Sequence, residues 1–346
     1  MPSERTRSVS MRDVAELAGV SGQTVSRVAN NIGNVAERTR RRVELAMEEL
    51  GYRPNIAARA LRSGEFRSIA VVAFGLETLG NIRTVSAIAD EAARRSYAVE
   101  LISIQHAPDE PGTADFSWAM RRLGQDAVDG IILILETSKS ATAALELPSG
   151  VPAVIVDAGA AFEHPSVDAN QEQGARLAVD HLLSLGHPTV WHIAGPPESN
   201  AAAARARAWR SRLEDADRLV PDPVIGDWTP DSGYAAGLEL AARGGVSAVF
   251  AANDQMALGA LRAFHERGVA VPAAVSVVGF DDMAESAQFW PPLTTVRQHF
   301  EIAGATAVTL LVDQIERREV PAGRRLIDTE FILRASTGPF RERPAS

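Results

Sequence analysis

The stretch DVAELAGVSGQTVSRVANN, residues 13–31, carries two apolar stripes at helical spacing on either side of a glycine. Just upstream, Ser10 can cap a helix whose Asp13 lies three residues on, and Val14, Leu17 and Ala18 then fall on one face. Gly19 can take the backbone angles of a tight turn. Ser21 is a good cap for a second helix running from Gly22 to about Asn30, with Val25 and Val28 turned inward. A third helix is expected from about Glu37 to Leu50, where Val43, Ala46, Met47 and Leu50 form the apolar stripe and Arg38, Arg40, Arg41 and Arg42 lie near its start. Three short helices around a small apolar centre predict an all-α helix-turn-helix domain.

Charge separates this head from the rest of the chain. The whole sequence carries −9, but twelve arginines against eight acidic residues up to Arg67 leave the head at +4 and the remainder at −13. A basic head on an acidic body is what DNA binding requires when only the head approaches phosphates. If the second helix enters the major groove, Gly22, Gln23, Ser26 and Arg27 point at the bases, because the valines occupy the other face. Glutamine can pair with adenine in bidentate fashion and arginine with guanine, while Ser21, Thr24 and Ser26 can bond phosphates. The same pattern also describes a merely solvated polar face.

Together with TRRRVELAMEELGYRPNIAARALRSG at 39–64, the stretch resembles the DNA-binding head of the lactose-repressor (LacI/GalR) family. The resemblance implies that Gly22, Gln23 and Arg27 sit at base-reading positions, with Asn30 and Asn55 among the DNA contacts. It also implies that Pro54 and Asn55 through Leu61 form a hinge helix whose Leu61 wedges into the minor groove. Two positions depart from the family pattern. Gly22 has no side chain where relatives read a base, and Ala36 stands where a hydroxyl usually caps the third helix, leaving Asn34 or Glu37 as substitutes.

From Ser68 onward, short apolar runs alternate with helical patterns: IAVVAF, VELISI, GIILIL and VPAVIVD, then TVWHIAG, AVFAAND and VSVVGFDD. These read as buried parallel strands with crossover helices, an α/β core of two doubly wound lobes. Ligands in such sheets bind at the carboxyl ends of the strands. The polar residues there are Asp157, Asn253 with Asp254, and Asp281 with Asp282; Asp254 and Asp282 read as helix caps. Asp157 and Asp281 can accept paired hydroxyls, Asn253 and Gln298 can donate and accept, Arg205 can donate a fork, and Trp228 offers a flat apolar face. That set suits a sugar.

AANDQMALGA, VGFDD and PPLTTVRQHF extend the resemblance to the core, which is then expected to be periplasmic-binding-protein-like of type I. It implies effector contacts at Phe74, Asp157, Arg205, Trp228, Asn253, Asp281 and Gln298, in a combination closest to galactoside-binding members. The segment Phe74 to Asn81 departs from those members. The expected organisation is a head at 1–52, a hinge and linker at 53–66, a core at 67–340 and a tail at 341–346. Within the core, lobe one takes about 67–169 and 298–326, and lobe two about 170–297 and 327–340.

The implied protein is a dimeric, cytoplasmic regulator that binds operator DNA and is released by a small sugar. The alternatives are a co-repressor-type regulator responding to a purine or a phosphorylated sugar, and a solute-binding protein for transport. No tetramer-forming leucine repeat follows Phe340, and no apolar run is long enough for a membrane span or signal peptide. Without cysteine there is no disulfide framework, zinc finger or thiol nucleophile. GxSxG, Walker-type and HExxH motifs are absent, so no catalytic residue, metal or cofactor is expected. His181, His187 and His192 are expected to be structural, on a helix, a loop and a strand.

Overall fold

In the computed structural model the chain divides into two compact units, residues 1–66 and 67–346. The structure describes residues 9–29, 33, 35–52, 65–74, 76, 78–104, 119, 123, 128–135, 147, 148, 150–159 and 164–342.

The first unit contains α1 (Met11–Ala18), α2 (Gly22–Ala29) and α3 (Glu37–Leu50). A capping box starts α1: the Ser10 N–H donates to Asp13 Oδ2 at 2.8 Å, and the Asp13 N–H donates to Ser10 Oγ at 3.4 Å. Gly19, at φ 61°, ends the helix in the left-handed conformation that a side chain would disfavour. Ser21 Oγ accepts the Thr24 N–H at 3.1 Å and so starts α2. No side chain caps α3 at Ala36; Asn34 lies outside the described residues. The core joins Val14, Ala15 and Ala18 to Val25, Val28, Val43 and Ala46. Leu17, expected inside, is 46% exposed. At about 100° per residue the buried arc centres on Val14, Ala15 and Ala18, and Leu17 falls on its edge.

The second unit holds two parallel sheets. The larger has the order β11-β5-β4-β3-β1-β2, built from β1 (Ser68–Phe74), β2 (Ala98–Ile104), β3 (Gly130–Ile134), β4 (Ala153–Val156), β5 (Ser166–Ala169) and β11 (Arg324–Ile327). The inner strands β1, β3 and β4 are buried on both faces, which is why they read as unbroken apolar runs, whereas the edge strands β2 and β11 are partly exposed. Ile69, Val71 and Ala73 pack under α4 (Leu79–Arg94) and α9 (Phe300–Ile315), while Ala70 and Val72 enter a second cluster on the opposite face.

The smaller sheet, β7-β6-β8-β9, uses β6 (Trp191–Ala194), β7 (Val224–Ile225), β8 (Ala248–Ala251) and β9 (Ser276–Val278). One face packs on α5 (Gln171–Ser184) and α6 (Asn200–Asp215) around Trp209, Phe250 and Phe280. The other packs on α7 (Pro230–Ala242) and α8 (Asp254–Glu266) around Met256 and Phe264. An antiparallel pair, β10 (Thr295–Arg297) with β12 (Glu330–Ile332), completes this lobe. The chain passes between the lobes after β5, after β10 and after β11. Among the described residues, no helix is long and apolar enough to cross a membrane.

Candidate functional site

In the first unit, Ser21, Gly22, Gln23 and Arg27 are exposed, Thr24 and Ser26 are half-buried, and Val25 and Val28 face the core. Gln23 and Arg27 are four residues apart, so both side chains leave the same face of α2. The Ser21 hydroxyl is engaged with Thr24, whose Oγ1 lies 2.9 Å away. Asn30, Asn55 and Leu61 lie outside the described residues. Sequence reasoning grouped Arg42 with its basic neighbours, but its guanidinium donates to the Ala18 carbonyl at 2.6 and 3.2 Å and to the Gly19 carbonyl at 3.1 Å. It ties α3 to the open end of α1, satisfying carbonyls that α1 leaves without partners.

In the second unit the strand ends surround a solvent-open cleft of about 540 Å³. One wall is Thr78, Leu79, Gly80 and Asn81 at the start of α4, with Leu135, Asp157 and Phe300; the other is Asn200, Ala201, Arg205, Trp228, Asn253, Gln255 and Asp281, with Gln171 and Gln298 between. Asp157, Arg205, Trp228, Asn253, Asp281 and Gln298 thus converge on one space. Phe74 ends β1, in register with Ile104 at the end of β2. Asp157, Trp228 and Asp281 adopt positive φ of 56°, 74° and 109°. Such backbone is costly for residues with side chains, and it clusters where a site constrains the chain.

A buried chain of hydrogen bonds links the polar groups. Arg205 Nε donates to Gln171 Oε1 at 2.8 Å, Gln171 Nε2 to Gln298 Oε1 at 2.9 Å, and Gln298 Nε2 to Asp281 Oδ1 at 2.6 Å. Arg205 Nη2 lies 3.7 Å from Asp281 Oδ1, closing the ring. Arg205 also donates to the Ala252 carbonyl, and its Cζ lies 3.8 Å from the Phe280 ring centre and 5.5 Å from that of Trp228. Burial pushes the Asp281 carboxyl above its ordinary range, and Arg205 and Gln298 oppose that by stabilising the anion. The Trp228 indole occupies space next to Gly195 that a Cβ there would invade, 2.4 Å from its Cη2.

Two assignments change. Asn253, not Asp254, caps α8: its Oδ1 accepts the Met256 N–H at 2.8 Å, and its Nδ2 donates to the Trp228 carbonyl at 3.0 Å. Asp282 is no cap either; it pairs with Arg297 at 2.7 Å and Arg334 at 2.5 Å. Sequence reasoning missed Gln171 and Asn200, although both stand at the starts of helices facing the cleft, where the strand-end rule also applies. Asn200 reaches across to the Asp157 and Ala158 carbonyls, each at 3.4 Å. His181, His187 and His192 are held by structural bonds. His181 bonds Thr337, His187 bonds Ser247 and Gly338, and His192 Nδ1 donates to the Phe250 carbonyl at 2.8 Å.

A helix-turn-helix head and a two-lobed α/β core with a polar cleft define a DNA-binding transcriptional regulator with an effector-binding core. Residues 10–55 match the bacterial regulatory proteins of the lacI family, and residues 179–337 match a periplasmic binding protein-like domain. The chain is 35% identical to the lactose operon repressor of Escherichia coli (strain K12) over 336 residues, 96% of this chain and 91% of that protein. It is 33% identical to the HTH-type transcriptional repressor PurR of Escherichia coli O1:K1 / APEC over 344 residues, 96% of this chain and 98% of that one. A crystal structure of the Lac repressor dimer bound to operator and the anti-inducer ONPF superposes with a TM-score of 0.83 at 33% identity, covering 96% of this chain and all of that one. The transcriptional regulator CelR in complex with cellobiose does so with a TM-score of 0.71 at 31% identity, covering 95% and 99%. The chain belongs to the lacI family of bacterial regulatory proteins.

Proposed function

We propose that the protein is a dimeric, cytoplasmic repressor whose α2 reads a pseudo-palindromic operator and whose cleft takes a small sugar that releases it from DNA, without catalysis. The carrying observation is the cleft itself: carboxylates, amides and an indole face arrive from strand and helix ends of both lobes. A polyol bridging Asp157 on one side and Asp281 on the other stabilises the closed arrangement of the lobes, and a ligand shifts an equilibrium only by such differential contacts. Coupling is reciprocal, so an effector that weakens DNA binding is itself bound more weakly by the DNA-bound protein. The sugar-bound relative and the operator-bound dimer support this reading.

Calorimetry with galactosides, cellobiose, purines and phosphorylated sugars, repeated on Asp281→Ala and Arg205→Ala, tests the cleft. Sugar binding that either substitution abolishes is expected; binding of a purine alone replaces the inducer with a co-repressor. On the DNA side, Gln23→Ala or Arg27→Ala is expected to cost about 1–3 kcal/mol and relax specificity at one base position. Failure to prefer any palindromic duplex over random DNA at moderate salt defeats the operator assignment. Sedimentation is expected to give a dimer.

A further inference from the structure

Asp254, the carboxylate that follows the end of β8, does not line the cleft, yet it is completely buried. Since Asn253 already caps α8, the helix does not need it. Its oxygens instead accept three donors from elsewhere: the Met283 N–H at 2.9 Å, the Ser286 hydroxyl at 2.6 Å and the Thr295 hydroxyl at 2.5 Å. Its own N–H donates to the Phe280 carbonyl at 2.8 Å. The approach requires glycine at 279, where a Cβ would stand 2.2 Å from Asp254 Oδ1. Asp254 therefore grips the loop after β9 from three sides, and through Thr295 it holds the strand that leads to Gln298.

Resting on the effector-cleft reading, we propose that Asp254 is the positioning residue of that cleft, a buried carboxylate that holds the Asp281 loop and the Gln298 strand in register. Asp281 and Asp282 both sit at positive φ, 109° and 52°, a loop that does not hold its shape unaided. The Gln298 to Asp281 bond of 2.6 Å closes only when both ends of this loop are fixed. Ser286 and Thr295 are themselves fully buried, so the clamp is sealed from solvent.

The charged groups on the elements around Asp254 are Asp281 and Asp282 after β9, Glu285 on the short 3-10 helix Ala284–Gln288, Arg297 on β10, Arg205 on α6, and Arg334. Arg297 and Arg334 are taken by Asp282, and Arg205 lies against Asp281. Burial, then the Asp281 charge, pushes the Asp254 carboxyl up to about 7, with Ser286, Thr295 and Met283 opposing. A carboxyl raised in the folded state gives stability that is complete below its unfolded value and is lost as pH rises towards the folded one. Opening of the loop is therefore favoured with rising pH, by about tenfold between pH 6 and 8.

Deuterium uptake of residues 279–298 in the full chain tests this without an identified effector. After correction for intrinsic exchange, uptake is expected to rise about tenfold from pH 6 to 8. In Asp254→Asn the rise is expected to shrink severalfold with the fold intact, because the amide oxygen can accept from Met283 and Ser286 while its N–H donates to Thr295; what remains comes from Asp281, whose buried carboxyl is also raised. In Thr295→Val, uptake around 293–298 is expected to increase severalfold at both pH values, with 248–251 unchanged. An undiminished pH response in Asp254→Asn, unchanged uptake in Thr295→Val, or loosening spread over the whole lobe in either variant overturns the proposal. Calorimetry with o-nitrophenyl galactoside and cellobiose separates the two claims. If the exchange results hold and neither sugar binds, the sugar reading of the cleft fails while the clamp stands.

Discussion

Gln298→Ala cuts the buried ring at the point where two of its bonds meet. Gln298 is 5% exposed; it accepts from Gln171 at 2.9 Å and donates to Asp281 at 2.6 Å. A neutral bond contributes about 0.5–1.5 kcal/mol and one to a carboxylate about 1.5–3 kcal/mol, so the loss is expected at about 2–4 kcal/mol. For a core of this size that lowers the thermal midpoint by roughly 3–7 °C. The loss has a pH signature. Removing the Gln298 donor pushes the already raised Asp281 carboxyl further up, so the destabilisation is expected to be larger at pH 8 than at pH 5. Gln298→Glu sets a second carboxyl against Asp281 and is expected to lose stability still more steeply with rising pH. Urea titrations at both pH values measure these differences. A Gln298→Ala loss below about 0.5 kcal/mol, the scale of a surface substitution, or one equal at both pH values, refutes the network's role.

Gly195→Ala brings a methyl 2.4 Å from Trp228 Cη2, so the indole is expected to leave the cleft, effector affinity to fall tenfold or more, and the lobe to lose about 1–3 kcal/mol; indole fluorescence and calorimetry read both. Arg42→Ala removes three bonds to the Ala18 and Gly19 carbonyls and, allowing for solvent at this exposed side chain, is expected to destabilise the head by about 1 kcal/mol. Scanning calorimetry is expected to record an earlier head transition with the core transition unmoved. His192, buried between Phe250 and Trp209, has its imidazole lowered to about 4 by burial. Its stability contribution is complete above pH 6.5 and is lost as pH falls towards 4, by about 3 kcal/mol. In His192→Phe that acid-side slope is expected to be absent, and a slope equal to that of the unaltered protein excludes His192 as its source.

Local patterns carried the head and the layout of the core. Ser10 with Asp13, Gly19, Ser21 and the inward valines act within one or two turns of chain, so a linear string specifies them. The apolar runs announced parallel strands because both faces of each sheet are covered. Strand ends pointed to Asp157, Asn253 and Asp281, the family resemblance added Arg205, Trp228 and Gln298, and all six share one cleft. What each side chain does there was not legible. Asn253 and Asp254 are adjacent in sequence and Asp254 read as the cap, yet Asn253 caps α8 and Asp254 reaches 41 residues along the chain to Thr295. Arg42 looked like its basic neighbours until folding brought the end of α1 within 2.6 Å of it. Hydrogen-bond partners separated by tens of residues depend on distances of a few tenths of an ångström. Only packing of the whole unit sets those distances, so tertiary structure decided which polar groups face the ligand space and which hold its walls.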